Sequence, residues 1–129
     1  IMGIFNFFAS SDLSYKEFEK WVDSSLTAEL TKDVVALCFN LYDDGNGQWS
    51  VELVGTSSFD KDDSDWACNE VFDTRDNPLK WKSKGSWEKV LSSVRSHLET
   101  YLKNGKHASL LRSQQGIGLG FVDGDLIIL

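Results

Sequence analysis

Between residues 14 and 30, Tyr15, Phe18, Val22, Leu26 and Leu30 recur at three- and four-residue spacing. Trp21 widens the stripe, and Lys16, Glu19, Lys20 and Asp23 lie opposite. That period gathers the apolar set on one face of a helix. Ser14 followed by Glu17 has the form of a capping box, in which each side chain satisfies the other's free backbone N–H, so a helix is predicted over 14–30. A longer helix is predicted over 86–104. Trp87, Val90, Leu91, Val94, Leu98, Tyr101 and Leu102 form its stripe, Ser86 caps it, Glu88 complements its positive start and Gly105 ends it. A short helical turn is expected over 107–114, closed near Gly116.

The remaining pattern is that of strands. Residues 34–42, VVALCFNLY, are almost continuously apolar and rich in β-branched and aromatic side chains, which suits a central strand covered on both faces. DDGNG at 43–47 reads as a five-residue hairpin connection to a second strand at 48–55, where Trp49, Val51 and Leu53 alternate with Ser50 and Glu52. The alternation places Ser50 and Glu52 on a wet face. A third strand is expected at 66–72, with Trp66, Cys68, Glu70 and Phe72 on one face and Ala67, Asn69 and Val71 on the other. Asn77-Pro78 then opens a basic connector carrying Lys80, Lys82 and Lys84. The closing GLGFVDGDLIIL reads as two short strands joined at Asp123-Gly124, a dipeptide suited to a two-residue type I′ turn. Together these elements predict one α+β domain over 1–129: an antiparallel β-sheet with amphipathic helices packed on one face and a C-terminal hairpin.

Charge along the chain is strongly uneven. The 129 residues carry a formal charge of −7. Within residues 43–76, ten carboxylates (Asp43, Asp44, Glu52, Asp60, Asp62, Asp63, Asp65, Glu70, Asp73 and Asp76) face only Lys61 and Arg75. That window alone is −8, so the remainder is close to neutral and the acidity is a local field able to steer a basic partner. It disfavours nucleic acid and anionic membrane surfaces, both of which require cations. The stretch 80–112 has the opposite bias, with eight Lys and Arg against Glu88 and Glu99. Those cations either recruit an acidic partner or pair with the acidic stretch inside the fold.

Cys38 and Cys68 stand thirty residues apart in apolar contexts and read as two buried thiols of a reducing, cytoplasmic compartment. No apolar run reaches the roughly 18 residues that span a bilayer. The opening IMGIFNFFAS lacks the basic start and cleavage signature of a signal peptide, and reads as an arm or strand.

Enzyme and metal chemistry find little support. Neither His97 nor His107 neighbours a Cys or an activated Ser in sequence. Asp60, Asp62 and Ser64 alternate like the start of a calcium loop, but Asp65 replaces the sharp-turn glycine and Val71 the bidentate glutamate. The two separated Cys and two separated His do not form a zinc set. Gly116, Gly118 and Gly120 miss the spacing of a phosphate-binding loop and read as sites of close backbone approach. No cofactor is implied.

What remains is a carboxylate cluster interleaved with aromatic surface. Asp60, Asp62, Asp63, Asp65, Trp66, Glu70, Asp73 and Asp76 are the candidate partner-binding residues, with Asp43 and Asp44 as a second group. The run FNLYDDGNGQWSVELVGTSSFDKDDSDWACNEVF, with the closing GFVDGDLIIL, resembles small bacterial immunity proteins of contact-dependent inhibition and other polymorphic toxin systems. The resemblance implies a non-enzymatic protein that binds a cognate toxin domain. An acidic protein of this kind can fill the basic cleft of a nuclease toxin. The alternatives are a small-ligand or metal-dependent enzyme using the acidic loop, and an adaptor domain.

Overall fold

The computed structural model describes residues 12–27 and 29–129. The arm or strand expected at the start of the chain lies outside the described residues. The chain folds as α1 (Tyr15–Ser25), β1 (Ala36–Gly45), β2 (Gln48–Thr56), a 3₁₀ turn (Ser64–Cys68), β3 (Glu70–Asp73) and β4 (Leu79–Lys82). These are followed by α2 (Trp87–Asn104), α3 (Ala108–Arg112), β5 (Gly116–Phe121) and β6 (Ile127–Ile128). Among the described residues, no helix is long and apolar enough to cross a membrane.

The architecture is α+β, but the sheet is mixed rather than antiparallel. Its order is β3-β2-β1-β5-β6, with β4 also on β2, and β5 runs parallel to β1 from Ala36↔Gly116 to Leu41↔Phe121. The parallel pair requires a long crossover, supplied by α2 and α3. β6 pairs antiparallel with β5 only at Gly118 and Leu119. Five residues join them, and Asp123 and Gly124 are not among the residues with positive φ, so the expected type I′ turn is absent there. It occurs instead between β1 and β2, where Asn46 (φ 55°) and Gly47 (φ 72°) form the two-residue turn and Gly45 (φ 85°) the adjoining bulge.

Period-2 alternation divides the sheet into two faces. Leu37, Phe39 and Leu41, Val51 and Leu53, and Ile117 and Leu119 meet Phe18, Trp21 and Val22 of α1 and Val90, Val94 and Leu98 of α2 in the main core. The capping box of α1 forms as the sequence predicts, with Ser14 N–H donating to Glu17 Oε1 at 3.1 Å and Glu17 N–H to Ser14 Oγ at 3.2 Å. The helix stops at Ser25 rather than residue 30. Trp87 leaves the predicted apolar stripe of α2 and is 54% exposed. Gly105 ends α2 with a negative φ; a side chain there would collide with the Tyr101 ring at 2.5 Å.

The third strand predicted at 66–72 divides in two: Trp66–Cys68 belong to the 3₁₀ turn, and only Glu70–Asp73 form a strand. The basic connector is β4, which continues the outer edge of β2 through Gln48↔Lys82 to Val51↔Leu79. Thr74 spans the junction. Its hydroxyl accepts from Leu53 N–H at 3.1 Å and donates to Leu53 C=O at 2.9 Å, so the backbone of β2 stays paired where the edge changes strand.

Candidate functional site

The second face of the sheet carries Ala36, Cys38, Asn40 and Tyr42 of β1, Ser50, Glu52, Val54 and Thr56 of β2, and the three glycines of β5. No helix covers it. The acidic loop of residues 57–69 does, closed at its ends by Ser57 N–H to Asn69 C=O at 3.0 Å and Asn69 Nδ2 to Ser58 Oγ at 2.7 Å. Trp66, 4% exposed, packs with Ala36, Cys38 and Val54 in a small second core, and Phe59 meets it edge to face at 5.0 Å. Both aromatics rest on glycine. A Cβ on Gly116 would stand 2.1 Å from Phe59 Cε1, and one on Gly118 would stand 3.1 Å from Trp66 Cζ2. Gly120 likewise leaves room for the backbone of Asp125, whose carbonyl oxygen would stand 2.5 Å from an added Cβ. The glycines of β5 thus serve close approach, and Trp66 anchors the acidic loop instead of presenting contact surface.

Asp60, Asp62, Asp63 and Asp65 are all exposed. Asp60 Oδ1 accepts from Asp62 N–H at 2.9 Å and Asp63 Oδ1 from Asp65 N–H at 3.0 Å, so two of the four also hold the loop's turns. Glu70 and Asp73 are engaged differently. Arg75 reaches Glu70 Oε1 at 2.5 Å, Glu52 Oε1 at 3.3 Å and Asp73 Oδ2 at 3.6 Å. The hydrogen bond to Glu70 and the field of Glu52 raise the guanidinium's pKa further. Asp76 is exposed on the turn before β4. Asp43 and Asp44 are exposed on the β1–β2 hairpin, at the opposite end of β2 from the point where the loop begins.

Two expectations from the sequence, a wet face for Glu52 and burial of both thiols, are not kept. Glu52 is not on a wet face: it is 5% exposed, accepting from Tyr42 Oη at 2.5 Å and Asn40 Nδ2 at 3.2 Å. Burial, then the hydrogen bond to Glu52 and its charge, push the Tyr42 phenol up to about 12. Cys38 is buried, and desolvation followed by the fields of Glu70 and Glu52 pushes its thiol up to about 12, whereas Cys68 is exposed. The two carboxylate groups are also linked. The loop doubles back so that Asp65 lines a cleft of about 600 Å³ with Glu52, Glu70, Arg75 and Asp125. Asp125 in turn lines a groove of about 500 Å³ with Asp123 and Asp43. Asp123 and Asp125, not singled out from the sequence, connect the two groups; their position beside the predicted terminal turn was the available signal.

No protein family, curated protein or solved structure matches this chain. Among the described residues, no three His, Cys, Asp or Glu side chains converge as metal ligands. His97 is half-buried, its Nε2 2.9 Å from Leu13 C=O and its ring against Phe18 and Tyr15, which is a packing role. Among the described residues, the ion pairs join Arg75 to Glu52, Glu70 and Asp73, and Arg95 to Glu99. The cations of residues 80–112 therefore form no direct ion pair with the acidic stretch, although Lys80 lines a groove with Asp44. Lys82, Lys84 and Lys89 line a groove of their own with Trp81 and Val90.

Proposed function

We propose that this chain is an immunity protein, a non-enzymatic inhibitor that binds and neutralises a basic toxin domain, a nuclease foremost. Asp60, Asp62, Asp63 and Asp65 would meet the toxin first, and the contact would continue over Asp125 to Asp123 and Asp43. The observation that carries this reading is an exposed acidic surface whose carboxylates form no ion pair among the described residues, not even with Lys61 of the same loop. Among the described residues, no cation lies within ion-pair distance of these seven carboxylates. A loop anchored by Trp66 and Phe59 presents Asp60, Asp62, Asp63 and Asp65 in a set geometry, which reduces the ordering that binding would demand. Complementary charge of this kind raises association rates and fixes orientation.

The test is co-expression with the product of the adjacent upstream reading frame. Co-purification and restored growth are expected; the absence of both would reject the proposal. In the purified complex, the association rate should fall with added salt. Combined replacement of Asp60, Asp62, Asp63 and Asp65 by Asn should weaken binding about tenfold or more. Asn keeps the side-chain oxygen that holds the turns at 60 and 63, so the fold should survive. Unchanged affinity would remove those residues from the interface.

A second reading, a small-ligand site, draws on the cleft floored by buried Glu52 with Tyr42 and Arg75. It predicts a rise in melting temperature with magnesium, manganese or calcium, retained when Asp60, Asp62 and Asp63, which lie outside that cleft, are Asn. The inhibitor reading predicts no such rise.

A further inference from the structure

We infer that the groove between the start of α2 and the β5–β6 connection receives one arginine side chain of a protein partner. Trp87, Leu91 and Phe121 form its apolar wall, and Asp43, Asp123 and Asp125 its acidic rim. A volume of about 500 Å³ is in the range of sites that enclose part of a ligand. The exposed indole is held in place: Trp87 meets Phe121 at 6.1 Å and 89°, and Phe121 meets Trp49 at 5.9 Å and 65°. Solvent contact over 54% of a Trp, next to three carboxylates with no ion-pair partner among the described residues, is unfavourable for an isolated domain and favourable for a cation. An aromatic face and an acidic rim match the two halves of arginine. Its aliphatic stem and planar guanidinium cover the indole, while its N–H groups reach two carboxylates at once. Lysine offers a strongly hydrated point charge instead, and stacks less well.

The inference rests on the proposed function only in taking the partner to be a basic protein. The groove can fail as an arginine site while inhibition through Asp60–Asp65 stands.

The experiment is a ¹⁵N-correlation NMR titration with N-acetyl-arginine methylamide, alongside the matched lysine and citrulline compounds. Saturable shifts of the Trp87 indole N–H and of the amides at 123–125 are expected with arginine. Lysine should bind about two- to fivefold more weakly, and citrulline should give no saturable shift. Trp87→Ala, and separately Asp123→Asn combined with Asp125→Asn, should abolish saturation. The variant with Asn at positions 60, 62, 63 and 65 should respond like the parent, which separates this groove from the loop. An unmoved Trp87 signal, equal shifts with citrulline, or equal affinity for lysine would overturn the assignment. So would Trp87 shifts that follow protein concentration alone, because a second copy would then cover the face.

Discussion

Trp66 is the residue on which the placement of the acidic loop depends, and two substitutions there separate its packing from its polarity. The side chain is 4% exposed and fills the space between the loop and the glycine surface of β5. Truncating a buried Trp to Ala costs about 3–5 kcal/mol through lost transfer energy and the cavity left behind. One term offsets this loss. The indole N–H is buried with no acceptor among the described residues, and an unsatisfied group of that kind costs about 1–3 kcal/mol that truncation would recover. Taking the middle of each range, Trp66→Ala should therefore destabilise by about 2 kcal/mol, a sizeable part of the roughly 5–15 kcal/mol of a typical domain. Trp66→Phe keeps an aromatic ring over Gly118 and removes the orphan donor, so it should cost under about 1 kcal/mol. Urea unfolding followed by far-UV circular dichroism measures both, because fluorescence would confound the loss of one of five Trp. A cost below about 1 kcal/mol for Trp66→Ala would mean that the loop is not held through this side chain. A cost above about 1 kcal/mol for Trp66→Phe would mean that the indole N–H is paired after all.

Three further outcomes follow from the same face. Native protein should be alkylated at exposed Cys68 and resist at Cys38, whose thiol is buried and pushed up to about 12; mass spectrometry after brief iodoacetamide treatment reads this directly. Gly116→Ala should displace Phe59, 2.1 Å from the added Cβ, and accelerate proteolysis within residues 57–69 while the main core holds; an unchanged cleavage rate would contradict the packing. Tyr42 makes stability depend on alkaline pH. Its folded pKa of about 12 lies above its ordinary value of 10.0, so its contribution is complete below about pH 10 and lost as pH rises through about 12. Two units set an upper bound of about 2.7 kcal/mol, and partial exposure lowers this to about 1–2 kcal/mol. Unfolding free energy should fall less steeply over that range in Tyr42→Phe, and parallel curves would refute the assignment.

The helices and central strands were legible because their signals are local. Ser14 and Glu17 sit three residues apart, and the stripe from Val90 to Tyr101 keeps its period. β1 reads as central because nearly every position from Ala36 to Leu41 is apolar, as burial on both faces requires. Its parallel partner was hidden. GIGLGF alternates in a way that fits either strand direction, and the pairing of Ala36 with Gly116 is set by the crossover through α2 and α3. Trp66–Cys68 misled for a related reason. Alternation over a few residues does not separate a strand from a 3₁₀ turn laid on a sheet, and Trp66 is buried in both. The buried state of Glu52 also depended on distant residues: Arg75 lies twenty-three positions away, and the loop covering that face is fixed by glycines in β5.

The chemistry of the loop itself bears on why it is acidic. Its turns need side-chain oxygens at positions 60 and 63, where Asp60 and Asp63 accept backbone N–H groups. Asn would supply the same oxygen, and it serves about as well as Asp both in such turns and at a helix N-cap. Asp62 and Asp65 donate their backbone N–H groups to these turns, which any residue but proline could do, and neither side chain appears in an ion pair. Four like charges within six residues raise the free energy of the folded loop by mutual repulsion that the amide form would not incur. Arg75 pairs with Glu52, Glu70 and Asp73, Lys82, Lys84 and Lys89 line a separate groove, and Lys61 of the loop itself forms no ion pair among the described residues. The charge at 60–65 is therefore surplus to folding. If so, replacing these four aspartates by Asn should leave stability unchanged or raise it by a few tenths of a kcal/mol, an increase that shrinks with added salt. A loss of more than about 1 kcal/mol would mean that the carboxylates serve the fold, and the argument from their charge to a basic partner would fail with it.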